Sequence, residues 1–387
     1  MTRILPTLSF LWSIGRLVKV YWGLLVILFL PGLRCEDGFF RGKNASIILH
    51  IGPHKTGSSY LQRQIHAMAN MLNNEGYCMN GNEHFKAEHR LATSISSGHT
   101  SSLQDFFKHC LGNNNRTIIS SESFSTFHKD SQFAALKNFL SGHSYHIVAV
   151  YRDPLTLLQS SHSEVTKNAH GQVRSFRTYL TGFSTSYKNT FFFPSFDRYV
   201  KNFGRENVTI LDYYGMAAAQ RDIVKVLLCD VVDILCKERY PESPPVNVKV
   251  DTLPYELFEM VNNQLTSMGC KQGKHVTDHD QLLVIQGYRE IAKRLPTRYL
   301  HLDMVTELAR LVDAQIREKY GDIMLYNNRT ASAEARTRAQ VIEVDKVAFF
   351  SSRNWTRWMQ TETENLLNRH MYGDCLLTLT PLHNSTR

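Results

Sequence analysis

"SIILHIGPHKTGSSYLQRQI", residues 46 to 65, changes its periodicity halfway along. Its first part is a short apolar run closed by Gly52, the pattern of a strand buried on both faces. From Ser58 to Asn73, Tyr60, Leu61, Ile65, Met68, Ala69 and Leu72 recur on one broad face, the pattern of a helix packed on a sheet. Between them, Gly52 permits a tight exit from the strand, Pro53 stiffens it, and Gly57 lets the backbone approach a ligand closely. Lys55 adds a point charge, Thr56, Ser58 and Ser59 add hydroxyl donors, and the first N–H groups of the helix face the same side. By physical logic this is a phosphate cradle. Taken alone, such a loop reads by default as an ordinary strand-to-helix turn with a solvated lysine.

Working outward, "GYCM", "RTIISSE" (116 to 122), "YHIVAVYRDP" (145 to 154) and "ENVTILDY" (206 to 213) are further short apolar runs ending in polar residues. Strands separated by helical stretches predict an α/β fold, a parallel β-sheet flanked by helices. Ligands of such sheets sit beyond the carboxyl ends of the strands. The stretches 52 to 59, 120 to 124 and 151 to 160, which carry the candidate chemistry, all fall there. After residue 250 the pattern becomes helical. Pro254 opens one helix that Gly269 caps, Gln281 to Leu295 and Leu302 to Tyr320 follow, and Val344 to Met371 reads as helical in part. The expected division is 1–35 a leader, 36–45 a short stem, 46–250 the α/β core, and 251–387 a helical C-terminal cap on the same domain.

A second constellation bears on the ligand. "VYRDPLTLLQSS" supplies a strand end, Arg152, a capping Asp153, Pro154 at the first helical position, and Ser160 two turns in. The planar fork of arginine suits a phosphate, and Ser160 can add a hydroxyl to the same group. Together the two sites resemble the superfamily of sulfotransferases that use 3′-phosphoadenylyl sulfate. Its 5′-phosphosulfate loop has the form Pro-x-Lys-[Thr/Ser]-Gly-[Thr/Ser]-[Thr/Ser], matched here by "PHKTGSS"; its 3′-phosphate motif has Arg at a strand end and Ser eight residues on, matched by Arg152 and Ser160. "GPHKTG", "ISSE" and "YRDP" look closer to the membrane-bound and bacterial branches than to the cytosolic one. The resemblance spans residues 45 to 215; the Arg-Lys-Gly motif of the cytosolic branch is absent.

That resemblance implies a P-loop-like fold and transfer of a sulfuryl group to an acceptor hydroxyl or amine, with Lys55, Thr56, Gly57, Ser58, Ser59, Arg152 and Ser160 holding the donor and no metal required. Lys55 would meet the charge that develops on the leaving phosphate oxygen. Glu122, at the end of "TIISSE", is the expected general base, its pKa raised by partial burial, with His54 and His128 as substitutes. His89 is a candidate acceptor contact. A P-loop kinase or NTPase is the main alternative reading, but a Walker A loop ends in Gly-Lys-Ser/Thr, and Asp212 is only a weak Walker B acid. A non-catalytic lumenal nucleotide-binding protein of the same fold is the other. In "KHVTDHD", His275, Asp278, His279 and Asp280 form the one metal-like cluster, read as a helix cap.

The remaining signals concern compartment. Net charge is +9, but Arg3, Arg16, Lys19 and Arg34 precede the first acid, Glu36, leaving +5 for the rest. No nucleic-acid motif accompanies that charge, and no nucleic-acid partner is expected. Val20 to Leu30 is an uncharged apolar run with basic residues mainly before it, a signal anchor slightly ahead of a cleaved signal peptide. Six sequons, at Asn44, Asn115, Asn207, Asn328, Asn354 and Asn384, agree with a lumenal chain. The expected setting is the Golgi membrane, single-pass type II, with secretion after cleavage as the alternative. Partners are then the membrane and an acceptor glycan, a protein tyrosine or a small hydroxylated molecule. Seven cysteines lie where disulfides form; Cys229 and Cys236, if helical, would be too far apart to bond without distortion.

Overall fold

The computed structural model describes residues 44–78, 87–98, 116–168, 194–236, 253–267 and 278–345 apart from 301 and 340, with a few isolated positions besides. Its strands are β1 (Ile47–His50), β2 (Tyr77–Cys78), β3 (Arg116–Ser120), β4 (Tyr145–Tyr151), β5 (Val208–Asp212), β6 (Thr297–Tyr299), β7 (Met324–Leu325) and β8 (Ile342–Val344). Six of them form one sheet in the order β2-β3-β1-β4-β5-β7, and every pairing in it is parallel. β6 and β8 pair antiparallel as a separate ribbon.

Side-chain alternation assigns the two faces of the sheet. Ile47, Leu49, Ile147, Ala149 and Tyr151 point to one core, which they share with Phe133, Leu136, Tyr199 and Ile316. Ile48, Val148, Val150 and Leu211 point to the other, against Leu61, Ile65 and Leu227. Both faces are covered, as parallel sheets require, which is why these strands read as nearly continuous apolar runs. The covering helices are α1 (Ser58–Ala67), α2 (Ala69–Asn74), α3 (Ala87–Ser97), α4 (Asp130–Leu140), α5 (Pro154–Asn168), α6 (Pro194–Phe203), α7 (Tyr213–Ala218), α8 (Leu253–Ser267), α9 (Asp278–Ala292), α10 (Asp303–Tyr320) and α11 (Arg329–Thr337).

Strand order locates the ligand crevice. The chain leaving β1 runs to β2 on one side, while the chain leaving β4 runs to β5 on the other. The carboxyl ends of β1 and β4 therefore flank the switch point, where the outgoing segments diverge and leave a cleft. Lys55 follows β1, and Arg152 follows β4.

Several expectations change. The helix expected over Ser58 to Asn73 is two helices, because Met68 turns out of helical geometry (φ −97°, ψ 10°) while its side chain stays fully buried. The bend keeps Leu61, Ile65 and Leu72 all on the sheet. The C-terminal third is more than a helical cap, since β7 adds a strand beside β5. Val344 ends a strand instead of opening a helix, and most of the stretch from there to Met371 lies outside the described residues, as does Gly269. Cys229 and Cys236 do form a disulfide, with Cα atoms 4.8 Å apart. The helix there widens into a π-helix over Val226–Val231 and then ends, and Asp233 and Leu235 take positive φ, which folds the chain back on itself. A second disulfide joins Cys78 to Cys110.

Among the described residues, no helix is long and apolar enough to cross a membrane; the apolar run Val20 to Leu30 lies outside them. Asn44 is exposed, and Asn207 and Asn328 are half-buried; Asn115, Asn354 and Asn384 also fall outside the described residues.

Candidate functional site

The loop after β1 is shaped by two glycines. A Cβ on Gly52 would lie 2.6 Å from Ser58 Oγ and 2.7 Å from the His50 ring, so only glycine fits there. Gly57, at φ 89°, is the N-cap of α1, and no side chain among the described residues caps that helix. The first N–H groups of a helix lack intrahelical acceptors, so this end presents donors and a partial positive charge. Lys55 itself sits at φ 69°, an uncommon conformation for a long side chain and one that needs outside support. Arg152 supplies it: its Nη1 donates to the Lys55 carbonyl at 2.6 Å.

The loop hydroxyls behave differently from expectation. Thr56 Oγ1 donates to the Pro53 carbonyl at 2.7 Å and Ser58 Oγ to the same atom at 3.4 Å, and both side chains are buried. These two hydroxyls brace the turn from inside. Ser59 is half-exposed, and with the helix-start amides it forms the outward surface.

Arg152 joins the same cleft from β4. Asp153 caps α5, accepting from the amides of Leu155 and Thr156 at 3.1 and 3.3 Å. Arg152 Nε donates to Thr156 Oγ1 at 3.3 Å, and its guanidinium lies 5.0 and 5.8 Å from the ring centroids of Tyr213 and Tyr214. Thr156, Ser160 and Glu164 follow one another at four-residue steps, so they share one ridge of α5. Its first member touches Arg152, and its last holds Lys55, with Glu164 Oε2 2.6 Å from Nζ. Ser160 stands between them, half-buried.

Beside the loop lies a carboxylate among imidazoles. Glu122 opens the 3₁₀ turn after β3 and meets His54 Nδ1 at 2.6 Å. Burial pushes the Glu122 carboxyl up, but the His54 hydrogen bond and the charges of His54, His89 and His50 outweigh it and leave the pKa lowered. The expected raised value is therefore corrected: partial burial is present, and the imidazoles override it. His89 Nδ1 contacts Ser123 Oγ at 2.9 Å and Ser121 Oγ at 3.0 Å. His50 lies under the loop, its Nδ1 2.8 Å from Ser120 Oγ and its Nε2 without a hydrogen-bond partner among the described residues. Desolvation holds its pKa down at about 4, against the pull of Glu122. His128 is exposed past the turn and contacts the Thr126 carbonyl at 3.1 Å.

Asp212, the weak Walker B acid of the sequence, is otherwise engaged. Arg317 Nη1 donates to it at 2.7 Å, both side chains being fully enclosed, and the Asn328 amide donates to the same oxygen at 2.9 Å. Asp278 is the first residue of α9, and residues 274–277 lie outside the described ones. Among the described residues, no group of three His, Cys, Asp or Glu could hold a metal ion.

Sequence reasoning missed Glu164, Tyr213 and Tyr214. The four-residue step from Ser160 was a usable signal for Glu164; the tyrosines could have been suspected from following a strand end at the same edge. No family model matches the chain, and no curated protein or solved structure matches it either.

Proposed function

We propose that this chain is a sulfotransferase moving a sulfuryl group from 3′-phosphoadenylyl sulfate to an acceptor hydroxyl or amine. The observation that carries the reading is the hydrogen bond from Arg152 to the Lys55 carbonyl. It joins the two anion-gripping strand ends in one cleft, at the switch point where such folds take their ligands. The tight turn that Gly52 alone permits, the uncapped start of α1 and the ridge through Ser160 support the fit. The rival kinase or NTPase reading draws no support from Asp212, which Arg317 already engages.

In this reading Arg152 and Ser160 hold the 3′-phosphate and orient the donor. Lys55 and the helix-start amides meet the charge that grows on the phosphate oxygen as its bond to sulfur breaks. The acceptor oxygen or nitrogen attacks the sulfur and loses its proton. Glu122 with a lowered pKa is a poor base by itself, so the proton goes to the His54–Glu122 pair. Glu122 engages Nδ1 of His54, Nε2 accepts, and the carboxylate stabilises the imidazolium that results. The apolar leader and the six sequons support a lumenal, Golgi-membrane setting; the acceptor in this reading is a glycan met in that compartment, with a protein tyrosine as the nearest variant.

The test is full-length protein incubated with radiolabelled sulfate donor and a panel of glycans, tyrosyl peptides and sterols. Label transfer is expected from the wild type. Lys55→Ala should lose it by roughly 10²–10³-fold, and Glu122→Gln should retain donor binding with lowered kcat. Mg²⁺-dependent ATP turnover with no affinity for adenosine 3′,5′-bisphosphate would replace this reading with the kinase one.

A further inference from the structure

We infer that Glu164 is a positioning residue: it holds the Lys55 ammonium while no anion is bound and yields it when the nucleotide arrives. The inference rests on the donor assignment above and adds the residue that sets the affinity. Lys55 Nζ and Glu164 Oε2 are 2.6 Å apart, and the lysine side chain is only 12% exposed. A cation so withdrawn from water needs a counter-charge, and the carboxylate supplies it. A phosphate or phosphosulfate oxygen that binds Lys55 competes with this carboxylate, because a second anion at the same ammonium repels the first.

The exchange is built to be easy. Glu164 is 37% exposed, four residues past Ser160 on the ridge of α5 that faces the cleft. A rotamer change moves its carboxylate off Lys55 on the solvent side of the cleft. Arg317 and Asp212 make the opposite case, since neither side chain reaches water and neither can leave without unpairing a buried charge. Glu164 thus competes with the ligand at the moment of binding, and its return helps release the bisphosphate product.

Calorimetric titration of the full-length protein with adenosine 3′,5′-bisphosphate tests this. Glu164→Gln should tighten binding by roughly three- to tenfold, the range of a half-exposed ion pair that the ligand no longer has to displace. A purely structural role would weaken binding or leave it alone. In a Lys55→Ala background, Glu164→Gln should bring no gain, which ties the effect to this pair; Lys55→Met serves the same cycle if Lys55→Ala does not fold. Unchanged or weaker binding by a folded Glu164→Gln protein overturns the inference alone, as does a gain that persists without Lys55. No binding by the wild type overturns the donor assignment, and the inference with it.

Discussion

Two arginines at the carboxyl end of one sheet make different use of the same charge. Arg317 is wholly enclosed: it donates to Asp212, Asp313, Asn327 and Ser332, and Tyr151 donates to Asp313 at 2.6 Å. Burial alone would lower its pKa, but Asp212 and Asp313 more than offset that and raise it. Arg336 repeats the arrangement one step along, bridging Asp153 at 2.7 Å and Asp313 at 3.0 Å. Arg152 is half-buried and donates to a carbonyl and a hydroxyl, with no carboxylate among its partners in the described residues. A buried cation whose neighbours cancel its charge holds the fold together. A cation left uncancelled beside an uncapped helix start keeps its capacity for an anion. The first kind supports the second: Asp153 adjoins Arg152 in the chain, Asp212 adjoins Tyr213, and both acids are clamped from helices near the C-terminus.

The contrast breaks most readily at Arg317. Arg317→Ala should lower stability by about 3–5 kcal/mol, because it strands Asp212 without its buried counter-charge. Denaturant unfolding measures this, and a loss below about 1 kcal/mol would show that enclosure does not separate the two arginines. Arg152→Ala should do the reverse: bisphosphate affinity falls by about 2–3 kcal/mol while stability moves by less than about 1 kcal/mol. Equal bisphosphate affinity in variant and wild type would remove Arg152 from the site.

A smaller effect sharpens the same distinction. His50 is fully buried under the cradle, and its pKa falls from 6.5 unfolded to about 4 folded. Between those values the unfolded chain binds the extra proton, so stability rises with pH through that window and is lost as pH drops below 6.5. The loss from pH 6.5 to 5.5 should be about 1 kcal/mol. Comparing wild type with His50→Gln by thermal unfolding at both pH values checks it, the variant lacking that part of the slope. Equal slopes would place the His50 ring in contact with water.

Much of the fold was legible because burial imposes a simple pattern. β1, β3, β4 and β5 are enclosed on both faces, so each announced itself as a short apolar run. Asp153 capping α5 followed from its place before Pro154. β6 and β7 were not legible, being three residues, all exposed, and two residues whose pairing depends on a distant partner. Nor was the break at Met68, whose apolar side chain satisfies a continuous helix as well as a bent one. In the site, the Arg152 and Ser160 spacing was readable, since eight residues keep both near one helix start. The direction of the Glu122 shift was not, because it depends on His54, His89 and His50 arriving from separate segments. Thr56 and Ser58 looked like ligand donors by type, and only their contacts with Pro53 show both hydroxyls turned inward.

The amino-acid order by itself determined the parallel α/β core, the cradle-shaped loop after the first strand, and an arginine with a serine two turns behind it. Those features follow from neighbours in the chain, through backbone conformation, side-chain periodicity and helix-start geometry. Tertiary structure alone decided which charges are cancelled: Arg317 by Asp212 and Asp313, Lys55 by Glu164, Arg152 by no carboxylate among the described residues. Cancellation depends on distance and on exclusion of water, and folding sets both between residues far apart in the chain.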